Sequence, residues 1–116
     1  MEVGPIANIN KTYSQVIGAV VALVGVLGFF QNPVLGILGV NIYSNIIHLL
    51  GGGVVIWKPG KMTNKVLGIV ALVVGAIGFI PGVSVIATDW LGFNTAFHIL
   101  HLIIGVVSLG VAMWAD

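Results

Sequence analysis

Apolar blocks alternate with short polar breaks along this chain. The blocks span Ser14–Phe30, Ile42–Trp57, Asn64–Ile80 and Asn94–Trp114. The breaks are Gln31-Asn32-Pro33, Lys58-Pro59-Gly60 and Pro81-Gly82, each rich in the residues that end helices. As a helix, each block reaches across, or nearly across, a hydrocarbon core of about 30 Å, the second being the shortest. Lone Val/Ile-rich strands would leave backbone groups unsatisfied in lipid, so the pattern predicts helices.

The pattern also repeats. VIGAVVALVGVLGF at 16–29 aligns with VLGIVALVVGAIGF at 66–79, matching Gly18, Gly25 and Gly28 to Gly68, Gly75 and Gly78. Asn41, His48, Leu49 and Gly52 match Asn94, His101, Leu102 and Gly105, and Asn45 is replaced by His98. The expected architecture is an all-α integral membrane domain over 1–116, with four transmembrane helices in two parallel hairpin repeats, 14–57 and 64–114. Packed along their small-residue faces, the hairpins would form a four-helix bundle. Gly18, Gly25, Gly28 and Gly52, with Gly68, Gly75, Gly78 and Gly105, are the expected helix-packing positions.

Composition supports lipid rather than water as the main solvent. Of 116 residues, 59% are hydrophobic and only 6% charged, too few charges to cover a soluble surface. A net charge of +1 excludes a basic nucleic-acid surface, and zero cysteines exclude disulfides, thiolate metal sites and Cys nucleophiles. Lys11, Lys58, Lys61 and Lys65 all fall on one side of the expected topology. The positive-inside rule makes that side cytoplasmic, with both termini inside. Tyr13, Trp57 and Trp114 would mark the inner interface, Tyr43 and Trp90 the outer one. Glu2 stands where a signal peptide would carry positive charge, so the N-terminus does not read as a cleaved leader. Asn10-Lys11-Thr12 is a glycosylation sequon placed on the wrong side for use. The outer connections, Val34–Val40 and Val83–Phe93, are too apolar for free loops and are expected at the headgroups or folded over the bundle mouth.

Chemistry concentrates in two stripes. Asn41, Asn45, His48 and Gly52 lie within about 60° of one another on a helix, as do Asn94, His98, His101 and Gly105. Each stripe starts with an Asn suited to capping and places His48 or His101 about 10 Å deeper. Polar groups at that depth should face the protein interior, bringing His48 and His101 together. One reading is structural, with interhelical hydrogen bonds that fix packing. A second is axial ligation of haem or chlorophyll by His48 and His101. A third is a metal ion held by His48, His98 and His101 near the outer face, with Asp89 as a possible partner of His98. A fourth is a proton or solute path, as in a small channel or transporter. Ser14, Ser44, Ser84 and Ser108 lack a visible His-plus-carboxylate partner set, so hydrolytic catalysis is not expected.

The tandem G-x-N-x3-[N/H]-x2-H-L-x2-G motif, after a Gly-rich helix each time, resembles a family of small prokaryotic four-helix membrane proteins of unknown function. The resemblance covers roughly Val16–Trp114 and implies a prokaryotic cytoplasmic or internal membrane, without supplying an activity. The expected role is a non-enzymatic accessory subunit whose partners are lipids and other transmembrane helices, or copies of itself.

Overall fold

The computed structural model describes residues 8–115, so the reading of Glu2 lies outside it. Four α-helices follow in order: α1 (Ile9–Gly28), α2 (Ile42–Trp57), α3 (Lys61–Ile77) and α4 (Thr95–Trp114). A short π-helical segment, Ile86–Trp90, interrupts the connection between α3 and α4. Helix α1 packs along α2 and α3 along α4, as two antiparallel hairpins.

Local chemistry sets the helix starts. Asn41 Oδ1 accepts from the Ser44 amide at 3.0 Å, and Ser44 Oγ accepts from the Asn41 amide at 3.0 Å, a reciprocal cap on α2. Asn94 caps α4 by accepting from the Phe97 amide at 3.1 Å. Lys58-Pro59-Gly60 separates α2 from α3, with Gly60 at φ +144°, a backbone conformation other residues rarely adopt.

The helices correct the four-span expectation. Among the described residues, only α1 and α4, each of 20 residues, are long and apolar enough to cross a membrane. Helix α2 has 16 residues, about 24 Å at 1.5 Å per residue, short of a core of about 30 Å. Helix α3 has 17 residues, and its first two turns carry Lys61, Asn64 and Lys65. It also starts earlier than the apolar pattern suggests, and α1 starts at Ile9 rather than Ser14. An apolar window counts residues, whereas caps and breakers decide how many become helix. The all-α class stands; four transmembrane helices do not.

The two apolar connections fold inward at the end of the hairpins remote from the lysines. Val34, Val40, Ala87, Phe93 and Phe97 form a cluster of buried large and small apolar side chains, with Leu38 and Leu91 packed against it. Elsewhere the usual distribution is reversed. Ser14, Ser44, Asn64 and Ser108 are 0% exposed, and Asn10, Asn45 and His98 are also buried. Val16, Leu23, Leu50, Val54, Val70, Ile103 and Val106 face outward. Polar and small residues thus make the helix contacts, and large apolar residues make the surface. Burial along 11–30 is repeated along 61–80 at every position but one, where Val21 is half-buried and Ala71 buried.

Candidate functional site

The side chains with chemical potential line the seam where the two hairpins meet, at three levels. At the loop end, each capping Asn also reaches across to the other hairpin. Asn41 Nδ2 donates to the Trp90 carbonyl at 2.8 Å, and Asn94 Nδ2 donates to the Ile37 carbonyl at 2.8 Å. Gly39 lies against Asn94, and Gly92, at φ +73°, against Val40 and Asn41. A side chain at Gly92 would meet the Val40 carbonyl at 2.8 Å, so only glycine lets the connections cross this closely. Asn94→Ala removes a cap and a cross-hairpin bond together. It should cost about 1–2 kcal/mol, measured as a shift in the chemical unfolding midpoint in detergent; an unchanged midpoint would show the cap to be dispensable.

At the middle level, His48 of α2 and His101 of α4 face each other, ring centroids 6.0 Å apart with planes 27° from parallel. Phe93 and Phe97 close around them. Phe97 lies 5.2 Å from His48 and 4.6 Å from His101, and Phe93 lies 5.6 Å and 4.8 Å from them. His101 Nδ1 is 2.8 Å from the Phe97 carbonyl, which can only accept, so Nδ1 carries the proton of this bond. His48 Nδ1 is buried with no hydrogen-bond partner.

Helix periodicity turns Asn45 and His98 a little away from this pair, into the hairpins' own seams. Gly28 lies directly against the Asn45 carboxamide and Gly78 against the His98 ring; a Cβ at either glycine would collide. His98 also packs edge-on against Phe79, centroids 5.6 Å apart. Asn45 Oδ1 and His98 Nδ1 are buried without hydrogen-bond partners. Further along, Gly25 sits on the backbone of Asn45 and Leu49, and Gly75 on His98 and Leu102. Gly18 meets Gly52, and Gly68 meets Gly105. Each of these eight glycines lies against the other helix of its own hairpin.

The third level, at the lysine end, is a network that sequence reasoning missed. Ser14 Oγ donates to Asn64 Oδ1 at 2.5 Å and accepts from the Gly60 amide at 3.0 Å. Asn64 Nδ2 donates to Asn10 Oδ1 and to the Asn10 carbonyl, both at 2.9 Å. Asn10 Nδ2 donates to the Ala115 carbonyl at 3.2 Å, and Tyr13 Oη lies 2.6 Å from Ser108 Oγ. A signal was present: Asn10, Ser14 and Gly18 share one helix face, as do Asn64 and Gly68. The polar residues extend the glycine stripes toward the lysine end.

Several candidate chemistries can be set against this geometry. Among the described residues, no group of three His, Cys, Asp or Glu side chains is placed to hold a metal ion. His98 faces Gly78 and Phe79 rather than the His48–His101 pair. Asp89 is exposed and accepts from Thr88 Oγ1 at 3.2 Å. A tetrapyrrole between His48 and His101 would need a flat slot around the line joining them. Phe93 and Phe97 pack within 5.6 Å of both imidazoles, centroid to centroid, in the space a macrocycle would need, so the seam as folded does not fit one. Ser14, Ser44 and Ser108 are committed to the bonds above.

No protein-family model, no curated protein and no solved structure matches this chain. Its class is therefore defined by its own architecture: an all-α protein of two hairpins, with two helices long and apolar enough to cross a membrane.

Proposed function

We propose that this chain is a small integral membrane protein acting as a non-enzymatic accessory subunit of a larger membrane assembly. The observation that carries this reading is the reversed distribution of side chains. The seams hold Gly, Ser, Asn and His, while the outer faces of all four helices expose Val, Ile and Leu. Such a surface is costly in water and suited to lipid tails or to neighbouring helices. With the eight seam glycines occupied internally, a partner would meet the large apolar side chains instead.

In this reading α1 and α4 cross the membrane, with α2 and α3 packed beside them. Lys11, Lys58, Lys61 and Lys65 are all exposed and lie at one end, which the positive-inside rule assigns to the cytoplasm along with both termini. The His48–His101 level then lies toward the outer side. The motif's resemblance favours a prokaryotic membrane. Matched contacts in the two hairpins (Gly28 on Asn45 with Gly78 on His98, Gly18 on Gly52 with Gly68 on Gly105) support descent from one duplicated hairpin.

Two measurements test the proposal. The chain has no cysteine, so single cysteines report sidedness cleanly. In intact cells Leu35→Cys should react with a membrane-impermeant maleimide, and Lys61→Cys only after lysis; the reverse pattern would reject the orientation. A photoreactive residue at Leu50 or Val70, both exposed, should give a protein adduct of discrete mass in native membranes. Lipid adducts alone at both positions would count against the subunit role. Release of the chain by alkaline carbonate would sink the membrane reading itself.

A further inference from the structure

The middle level of the seam differs from the levels on either side. Hydrogen bonds join the hairpins at both ends: Asn41 to Trp90 and Asn94 to Ile37 at one, Ser14 to Asn64 and Tyr13 to Ser108 at the other. Between them, the polar side chains meeting across the seam are two imidazoles, one from each hairpin, stacked 6.0 Å apart among Phe93 and Phe97. We propose that His48 and His101 form an acid-sensitive latch, closed when both rings are neutral and forced open when both carry a proton.

The geometry gives three reasons. Two positive rings at this separation repel each other, and the phenyl groups around them offer little water to screen the charge. A second proton on His48 would place a donor at Nδ1, which is buried and faces no acceptor. His101 Nδ1 already spends its proton on the Phe97 carbonyl, so a further proton must go to its other nitrogen, charging the ring that faces His48.

Among the described residues, no opposite charge is placed to offset this. The titratable group felt by His48 is His101, and the one felt by His101 is His98. Helices α1 and α3 bring Lys11, Tyr13, Lys61 and Lys65, and the end of α2 brings Lys58, all at the far end of the hairpins. Tyr43 and Asp89 are exposed at the loop end, where Asp89 bonds to Thr88. Because both ends of the seam are tied by neutral hydrogen bonds, protonation would part its middle while the hairpins stay attached. This inference stands apart from the accessory role, since it needs only the two hairpins.

The test uses the full chain in phospholipid nanodiscs, with spin labels on Ile47→Cys and Ile99→Cys, both exposed and one in each hairpin. Between about pH 8 and about pH 3, a range wide enough to charge two imidazoles whose protonation is opposed by their apolar surroundings and by each other, the label separation should lengthen by a few ångströms and recover on return. His48→Phe and His101→Phe, which suit an aromatic surrounding, should each abolish the change. His98→Asn copies the residue in the other hairpin and should keep it. Independently of any variant, the imidazole resonances of His48 and His101 in the unsubstituted chain should show two protonation steps at least about tenfold apart in proton concentration. A fixed separation, a response surviving in H48F or H101F, a response lost in H98N, or two coincident protonation steps would each overturn the latch.

Discussion

Gly52→Ala is expected to push α2 off α1 and to cost about 3 kcal/mol or more in stability. A Cβ at this position would lie 2.5 Å from the Gly18 carbonyl oxygen and 2.8 Å from the Ala22 Cα, and closer still to the Ala22 amide nitrogen. These are backbone atoms of a regular helix, so no side-chain rotation relieves the overlap. The equivalent clash at Gly105 falls first on the Leu72 side chain, which can move, and Gly105→Ala should therefore be milder. Gly51 and Gly53 supply the control, because a Cβ at either meets nothing within 4 Å. Ala there should be neutral or stabilising by up to about 1 kcal/mol through helix propensity. Unfolding titrations in mixed detergent micelles would measure all four variants. Equal effects at Gly51 and Gly52 would mean that the α1–α2 seam is not closely packed.

The second large effect is expected at Asn64, whose side chain is 0% exposed and ties α1, α3 and, through Asn10, the end of α4. Asn64→Leu keeps the branched shape and number of side-chain heavy atoms but withdraws two donated bonds from Asn10 and the acceptor that Ser14 uses. With about 1–3 kcal/mol for a buried polar group left without its partner, a loss of about 3 kcal/mol is expected. Tyr13→Phe removes only the bond to Ser108 and should cost about 1 kcal/mol. Exchange of the Gly60 amide, which donates to Ser14 Oγ, should accelerate in Asn64→Leu and stay protected in Tyr13→Phe. Stable Asn64→Leu protein with unchanged Gly60 exchange would show that this network does not hold the lysine end together.

Helix periodicity and capping chemistry are local, and the residues governed by them were legible. The Asn41 and Asn94 caps, the glycine stripes and the meeting of His48 with His101 all follow from spacing within one helix and from the match between two. Residues whose partners lie far along the chain were not legible. Asn10 was visible only as part of a sequon, Tyr13 as an interface aromatic, and Ser14 and Asn64 as the ends of apolar blocks. Their partners lie 46 to 105 residues away.

The sequence by itself determined that the chain is all-helical, where its breaks fall, and which face of each helix is small or polar, because those properties depend on neighbours within a few residues. The tertiary structure decided how much of each apolar block becomes helix, leaving two rather than four long enough to span a membrane. It also decided that the apolar connections turn inward as Val34, Val40, Ala87 and Phe93 to make the core beside the histidines. Whether an apolar residue faces lipid or a neighbouring loop is settled by what lies opposite it in space, which no local pattern encodes.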